Sequence, residues 1–106
     1  MHPHHAIFIA AIRTQRRVIL DFFSKEDDRV LTRSCAPMDY GPSRRAADQT
    51  SRYHYWDYDS DAGRHTLSLL EEQIRVITET EISFLPEEFV TWPPRWFVAR
   101  DWGLQS

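Results

Sequence analysis

The sequence predicts a mainly β fold, a small half-open β-barrel of about five strands preceded by one short N-terminal helix. Two observations carry this prediction. A single amphipathic segment opens the chain, and five short segments rich in β-branched and aromatic residues follow it. Short turns join most of these segments, which is typical of small all-β barrels. With 106 residues, 42% of them hydrophobic, the chain is expected to form one domain with a limited core.

The helix is predicted over residues 5–17, HAIFIAAIRTQRR. Ile7 and Ala11 recur at helical spacing, and arginines close the segment where a helix C-terminus favours positive charge. The strands are predicted from β-rich composition and from alternation. In the last of them, Ile74, Val76, Thr78 and Thr80 are predicted to lie on one side. The five predicted strands are VILDFFS (18–24), RVLTRSC (29–35), YHYWDYD (53–59), RHTLSLL (64–70) and IRVITETEISF (74–84).

The connections between the predicted strands differ in length. KEDD (25–28) and DSDAG (59–63) are polar hairpin turns, and LPEEF (85–89) is a helical turn. Residues 36–51 carry two prolines and many small polar residues, so they are predicted to form a loop of about sixteen residues. A loop of this length in a small domain is usually functional or mobile, and this one contains Arg44 and Arg45.

Charge and cysteine content narrow the class of protein. The net charge of −3 is uneven, because residues 1–53 hold 9 Lys and Arg against 6 Asp and Glu, whereas residues 54–106 hold 4 against 10. This balance excludes a general nucleic-acid coat protein but permits a local basic patch. The single cysteine, Cys35, predicts a reduced cytoplasmic protein. No apolar run is long enough for a membrane span, and no secretion signal is evident.

The stretch RYHYWDYDSDAGRHTLSL (52–69) concentrates aromatic, histidine and aspartate residues. A zinc site is not expected there, because His54 and Asp57 point to opposite strand faces and no CxxC motif is present. A calcium loop is not expected either, since Ala62 occupies the position that requires glycine. Cys35 is expected to be a buried small hydrophobe and not a nucleophile. The sequence therefore predicts no metal, no cofactor and no enzyme.

A stacking surface is a further interpretation of the same stretch. Tyr53 and Tyr55 share one face of the predicted strand, and His54, Trp56 and Tyr58 share the other. One face must fill the barrel, and the sequence does not decide which one stays open. Flat rings near Arg52 and near the arginines of the long loop are what single-stranded nucleic acid binding uses.

The C-terminal segment, residues 90–106, holds three of the four tryptophans, Trp92, Trp96 and Trp102. Two interpretations stay open for this extension. The tryptophans either complete the core of a small domain or form a contact with a protein partner or with a second copy, since tryptophan anchors are common in interfaces.

The order of these segments over residues 6–89 resembles the WYL domain, a family found in bacterial transcription regulators and in proteins linked to defence against phage. AIRTQRRVILDFFS resembles the opening helix and strand of the family, and RVLTRSCAPMDYG and FLPEEF resemble two later segments. YHYWDYD occupies the place of the WYL stretch, with Tyr53, His54 and Tyr55 where Trp, Tyr and Leu would stand. HTLSLLEEQIRVI resembles a segment with two arginines, which map to His65 and Ser68, so this chain lacks both the naming triplet and that arginine pair.

The resemblance implies an SH3- or Sm-like barrel that binds a negatively charged ligand, often an oligonucleotide or a nucleotide messenger. It also implies that this chain is a stand-alone domain, because no DNA-binding helix-turn-helix fits before its first strand. We therefore predict a ligand-sensing domain for single-stranded nucleic acid or a nucleotide, acting on a separate regulator or effector. The alternative is a protein-interaction or dimerisation domain with a degenerate ligand site. The predicted ligand-binding residues are Tyr53, Tyr55, His65, Ser68, Arg44, Arg45 and Arg52.

Overall fold

Helix α1 (His5–Thr14) opens the fold, and five strands follow it in a computed structural model that describes residues 1–44, 46–60 and 65–106. Short 3-10 turns precede and follow the last strand and end the chain. The predicted mainly β class with one N-terminal helix is confirmed for these described residues. The strands are β1 (Arg16–Ser24), β2 (Arg29–Pro42), β3 (Ser51–Asp57), β4 (Thr66–Leu69) and β5 (Ile74–Ser83).

The five strands form one antiparallel sheet in the order β4-β3-β2-β1-β5. Neither edge strand pairs with the other, so the sheet formed by the described residues is not closed. α1 packs against one face through Phe8, Ala11 and Ile12, which are fully buried. Alternate residues of β1 and β3 complete this core, because successive side chains of a strand point to opposite faces. No helix in the described ranges is both long and apolar enough to cross a membrane.

α1 ends three residues before its predicted limit. Gln15 takes a left-handed conformation, φ 55° and ψ 50°, and its backbone N–H donates to the carbonyls of Ala11 and Ile12. A left-handed residue at this position terminates a helix by satisfying carbonyls that have no further partner. Arg16 and Arg17 consequently belong to β1 and not to the last helical turn.

The predicted loop over residues 36–51 is wrong in its first half. β2 continues to Pro42 and pairs with β3, and a register shift between Pro37 and Asp39 adds one extra residue to β2. The prolines suggested a loop because proline cannot donate to a strand ladder. A β-bulge absorbs the irregularity, so long-range pairing with β3 overrides the local signal.

The alternation predicted for β5 is also wrong. β1 pairs Asp21 with Val76 but the next residue, Phe22, with Ile74, which places one extra residue in β5. Beyond this bulge, the side chains of β5 that would have faced the core face outward, and the others face the core. Ile74 and Ile77 are buried as a result, whereas Val76 is 40% exposed.

Three histidines tie the N-terminal segment to the sheet. His2 donates from Nε2 to the carbonyl of Ile74 at 3.0 Å, and Nδ1 of His4 accepts the backbone N–H of Ile77 at 3.1 Å. Nδ1 of His5 lies 2.9 Å from the Tyr53 hydroxyl. Since a backbone N–H can only donate, the ring nitrogen of His4 that faces Ile77 must be unprotonated.

We expect stability to fall as pH decreases below about 6.5, the usual pKa of histidine. Burial lowers the pKa of His5 in the folded protein. The unfolded chain therefore takes up its proton first, and this contribution to stability is present above pH 6.5 and lost as pH falls through the folded pKa. Urea titrations from pH 8 to pH 5 measure the effect. In His5→Asn, where Oδ1 can still accept from Tyr53, the pH slope should be smaller; an unchanged slope would assign it to other groups.

The C-terminal segment, residues 90–106 and here called the tail, folds back on the sheet. The carboxylate of Asp39 on β2 accepts the backbone N–H groups of Phe97 and Val98 at 3.0 Å. The same carboxylate accepts a bond from Arg100 Nη2 at 3.2 Å, and Arg100 also donates to the carbonyl of Met38. We call Asp39 and Arg100 the tail clasp. Trp102 is 4% exposed and donates from its indole to the carbonyl of Ile12 at 2.8 Å, so it belongs to the core.

Candidate binding face on the β3–β4 hairpin

The outward face of the β3–β4 hairpin gathers polar and aromatic side chains. On β3, Arg52, His54 and Trp56 alternate with residues that are buried. On β4, Ser68 pairs with His54 and Thr66 pairs with Trp56. We call these five residues the hairpin face. Strand alternation puts all five on one side of the sheet, opposite the core that α1 covers.

His54 is held in one orientation at the centre of the hairpin face. Its Nε2 lies 2.9 Å from the carbonyl of Gly41, and its Nδ1 lies 2.8 Å from the Ser68 hydroxyl. A carbonyl can only accept, so Nε2 carries the proton. In the neutral ring Nδ1 then accepts from Ser68, which locks both side chains.

His65 joins the hairpin face through an aromatic stack. Its ring lies 4.8 Å from the Trp56 ring at an interplanar angle of 22°, and Trp56 also stacks on Phe89 at 5.5 Å and 15°. Nδ1 of His65 donates to the carbonyl of Asp57 at 2.9 Å, which orients the imidazole. His65 and Ser68, which the sequence predicted as ligand-binding residues, thus lie on the same face as Arg52.

Arg52 already engages a carboxylate. Its guanidinium lies 3.0 Å and 3.3 Å from the two oxygens of Asp48, in a two-point contact. This contact lowers the pKa of Asp48 to about 2, so the carboxylate is ionised at neutral pH. Two-point binding by arginine also suits phosphate, so a phosphate group would compete with Asp48 for the same guanidinium.

The loop between β2 and β3 places Arg44 at the rim of the same groove. Arg44 donates from Nη2 to the carbonyl of Arg95 in the tail at 3.1 Å. Arg44 and Arg95 line one open groove together with Arg52 and His54. Arg45, also predicted to bind the ligand, lies outside the described residues, as do residue 64 of the predicted fourth strand and most of the predicted turn at 59–63.

Tyr53 and Tyr55 lie on the opposite face from the one that stacking requires. Both are fully buried, and Phe8 of α1 packs edge-on against both rings at 5.0 and 5.2 Å. A ring without exposed surface offers no face to a base. The stacking role that the sequence assigned to these tyrosines therefore does not fit their positions, because the core takes the odd-numbered face of β3.

The tail forms one wall of the groove through Trp92 and Phe97, which are 43% and 57% exposed. The Phe97 ring packs directly on the backbone of Gly41, whose carbonyl holds His54. Trp96 is half-buried and, with Trp102, stacks on the guanidinium of Arg100 at 4.2 and 4.3 Å. Of the three tryptophans predicted to contact a partner, Trp102 is thus in the core and Trp92 is the most exposed.

Gly41→Ala is expected to destabilise the fold and to displace Phe97. A Cβ at this position would lie 2.7 Å from Cγ of Phe97 and closer still to Cδ2. Overpacking of this kind costs about 1–3 kcal/mol. Chemical denaturation measures the loss. The double variant Gly41→Ala with Phe97→Ala should recover most of it; no recovery would place the strain elsewhere.

The residues that sequence reasoning passed over are His54 and Trp56 on the strand, and Arg95 and Phe97 in the tail. The alternation of YHYWDYD had already separated His54 and Trp56 from the two tyrosines. Only the packing of α1 against Tyr53 decides which set faces outward. Nothing in the local sequence of the tail indicates that Arg95 and Phe97 return to the β2–β3 loop, because the contacts that place them span more than 50 residues.

Within the described ranges, no three His, Cys, Asp or Glu side chains lie close enough together to bind a metal ion. Asp57 is buried on the core face, and burial raises the pKa of its carboxyl. His54 is on the other face and bonded to Ser68. The free thiol of Cys35 is buried next to Asp57, and burial raises its pKa well above the usual value.

Together these features define a small mainly β domain with an open groove lined by arginine, histidine and aromatic side chains. No known family model matches the sequence, and no curated protein matches it. Proteasome accessory factor B/C (PafBC) of Arthrobacter aurescens contains a similar structure, with a TM-score of 0.61 and 18% sequence identity. The match covers 91% of this chain and 13% of the PafBC chain. The two proteins thus share a fold over this segment.

Proposed function

We propose that this chain is a ligand-sensing regulatory domain of the WYL type that binds single-stranded nucleic acid or a nucleotide in the groove over the hairpin face. The observation that carries the proposal is the convergence of Arg52, His65 and Ser68 with Arg44 on one open face. The resemblance of the sequence to WYL domains and the fold shared with part of PafBC support a regulatory role. In this role the domain binds its ligand without catalysis, in the bacterial cytoplasm, and controls a separate regulator or effector.

The groove offers two kinds of contact to such a ligand. Arg52 and Arg44 supply guanidinium groups, which bind phosphate oxygens with two parallel hydrogen bonds. His65 supplies a weaker polar contact where the family resemblance implies an arginine, and the Ser68 hydroxyl can donate to the ligand only by giving up its bond to Nδ1 of His54. Asp48 pairs with Arg52 in the free protein, so a phosphate that binds the same two guanidinium nitrogens must displace a carboxylate of the same chain. We therefore expect moderate affinity and a strong dependence on salt.

The test is fluorescence anisotropy of labelled single-stranded RNA and DNA of about ten nucleotides, measured across a salt series. Saturable binding should weaken as salt rises, because phosphate neutralisation releases counterions. Arg52→Ala should weaken binding and reduce the salt slope, whereas Asp48→Asn should tighten binding by freeing Arg52. Arg75→Ala is the matched control, since Arg75 is exposed on β5 and does not line the groove. Absence of wild-type binding at low salt, or equal losses in Arg52→Ala and Arg75→Ala, would refute the proposal.

A protein-interaction or dimerisation domain is the second candidate. Its support is that His65 and Ser68 stand where arginines are implied, and that the tail exposes Leu104 (97%) as well as Trp92. Light scattering over a concentration series measures the oligomeric state directly. A dimer that Leu104→Ser dissociates would favour this candidate.

A further inference from the structure

We infer that Trp92 and Phe97 of the tail form a stacking wall for the base of the bound nucleotide. This inference rests on the proposed function and names the part of the ligand that the tail recognises. Tyr53 and Tyr55 are buried and cannot stack on a base, whereas the rings of Trp92 and Phe97 are exposed.

Exposure separates these two rings from the other aromatic residues of the tail. Trp102 is 4% exposed in the core and Trp96 is half-buried against Arg100, so both are accounted for by packing. Trp92 and Phe97 retain 43% and 57% of their surface, and both line the groove that also contains Arg52 and His54. Both rings therefore present open aromatic surface to a groove that arginines also line.

Contacts with β2 hold Phe97, one of the two residues of the wall, in place. The backbone N–H of Phe97 donates to both oxygens of Asp39, at 3.0 and 3.2 Å, and Asp39 is fixed by Arg100. The ring itself packs on Gly41, which pairs with Arg52 across the β2–β3 ladder and accepts from His54. Phe97 therefore lies beside the polar floor of the groove without needing a rearrangement, and a prepositioned ring loses little entropy on binding.

Charge favours a nucleotide over a purely apolar occupant. Arg44 bonds to the tail at Arg95, and both arginines border the wall. Asp39, which lines the groove, is paired with Arg100, and Asp48 is paired with Arg52. Glu26, Asp27 and Asp57 also line the groove. A ligand with a flat ring and an attached phosphate satisfies both the exposed aromatic surface and the guanidinium groups, as in single-strand binding sites.

The experiment compares a base-containing oligonucleotide with an abasic one of equal length, so that the phosphate charge is the same. Wild-type protein should prefer the base-containing probe. Trp92→Ala and Phe97→Ala should each weaken its binding by about 5- to 150-fold, the equivalent of about 1–3 kcal/mol per stacked base, and leave abasic binding unchanged. Leu104→Ala is the control, because Leu104 is an exposed apolar residue of the tail that does not line the groove. Circular dichroism of each variant verifies folding.

The outcomes separate this inference from the proposed function. Equal wild-type affinity for both probes, or equal losses on both probes in the two variants, overturns the stacking wall while the binding function stands. Loss of abasic binding in Arg52→Ala alongside either result supports the phosphate contact independently. If the wild type binds neither probe, the proposed function fails and the inference fails with it, and a protein segment becomes the occupant to test.

Discussion

Asp39→Ala is expected to lower the free energy of unfolding by about 3–5 kcal/mol, the usual cost of removing one partner of a buried ion pair. The side chain of Arg100 is 1% exposed and that of Asp39 is 9% exposed. Burial lowers the pKa of Arg100 to about 10, so the guanidinium stays charged at neutral pH. The variant therefore leaves a buried charge without its counterion, and it also leaves two backbone N–H groups of the tail without an acceptor.

Urea denaturation measures this loss of unfolding free energy, and a double-mutant cycle shows how much of it comes from the pairing of Asp39 with Arg100. Arg100→Met keeps an unbranched side chain between the indoles of Trp96 and Trp102 but removes the charge. The double variant should be more stable than the sum of the two single losses predicts, since no unpaired charge remains. Arg13→Ala is the control, because Arg13 contacts the tail from an exposed position at 3.4 Å and its removal should change stability by less than about 0.5 kcal/mol. Additive losses would show that the two charges stabilise the tail independently.

The tail clasp is also expected to affect ligand binding. The bonds from Asp39 to the backbone of Phe97 and Val98 position the Phe97 ring of the stacking wall on Gly41. A variant that loosens the tail without unfolding the sheet should thus lose base preference and keep phosphate-dependent binding. Stability of the tail and selectivity of the groove are expected to decline together.

Tyr53→Ala is expected to cost about 3–5 kcal/mol of stability, the range found for large aromatic side chains removed from a core. Had a base stacked on this ring, its loss would have appeared in ligand affinity with the fold intact. The structure instead places Tyr53 between α1 and the sheet with no exposed surface. Its hydroxyl accepts the backbone N–H of His2 at 3.1 Å and contacts His5 at 2.9 Å.

Two phenylalanine variants refine this prediction. Tyr53→Phe should cost about 1–2 kcal/mol, because His2 then loses the acceptor of a buried hydrogen bond. Tyr55→Phe is the matched control: Tyr55 is as deeply buried, but its hydroxyl meets no hydrogen-bond partner within the described residues, so its removal should cost little. Thermal and urea denaturation measure both. Equal effects of the two substitutions would show that the bonds to His2 and His5 contribute nothing.

The sequence by itself determined the class of fold, the helix, five strands near their true positions, and the separation of YHYWDYD into two faces. These features depend on local periodicity and composition, which a single chain displays directly. The sequence also predicted Arg52, His65 and Ser68 as binding residues, and the structure places all three on one face. Whether that face binds a ligand stays a prediction.

Only the tertiary structure decided which face of β3 is open, how far β2 extends, and where the tail lies. α1 covers Tyr53 and Tyr55, so His54 and Trp56 remain outside. Pairing with β3 holds β2 together through Pro42, and register shifts reset the phase of β2 and β5. The tail reaches the groove through a buried ion pair between Asp39 and Arg100, 61 residues apart. Contacts over such separations leave no local pattern, because each partner looks ordinary in its own stretch of sequence.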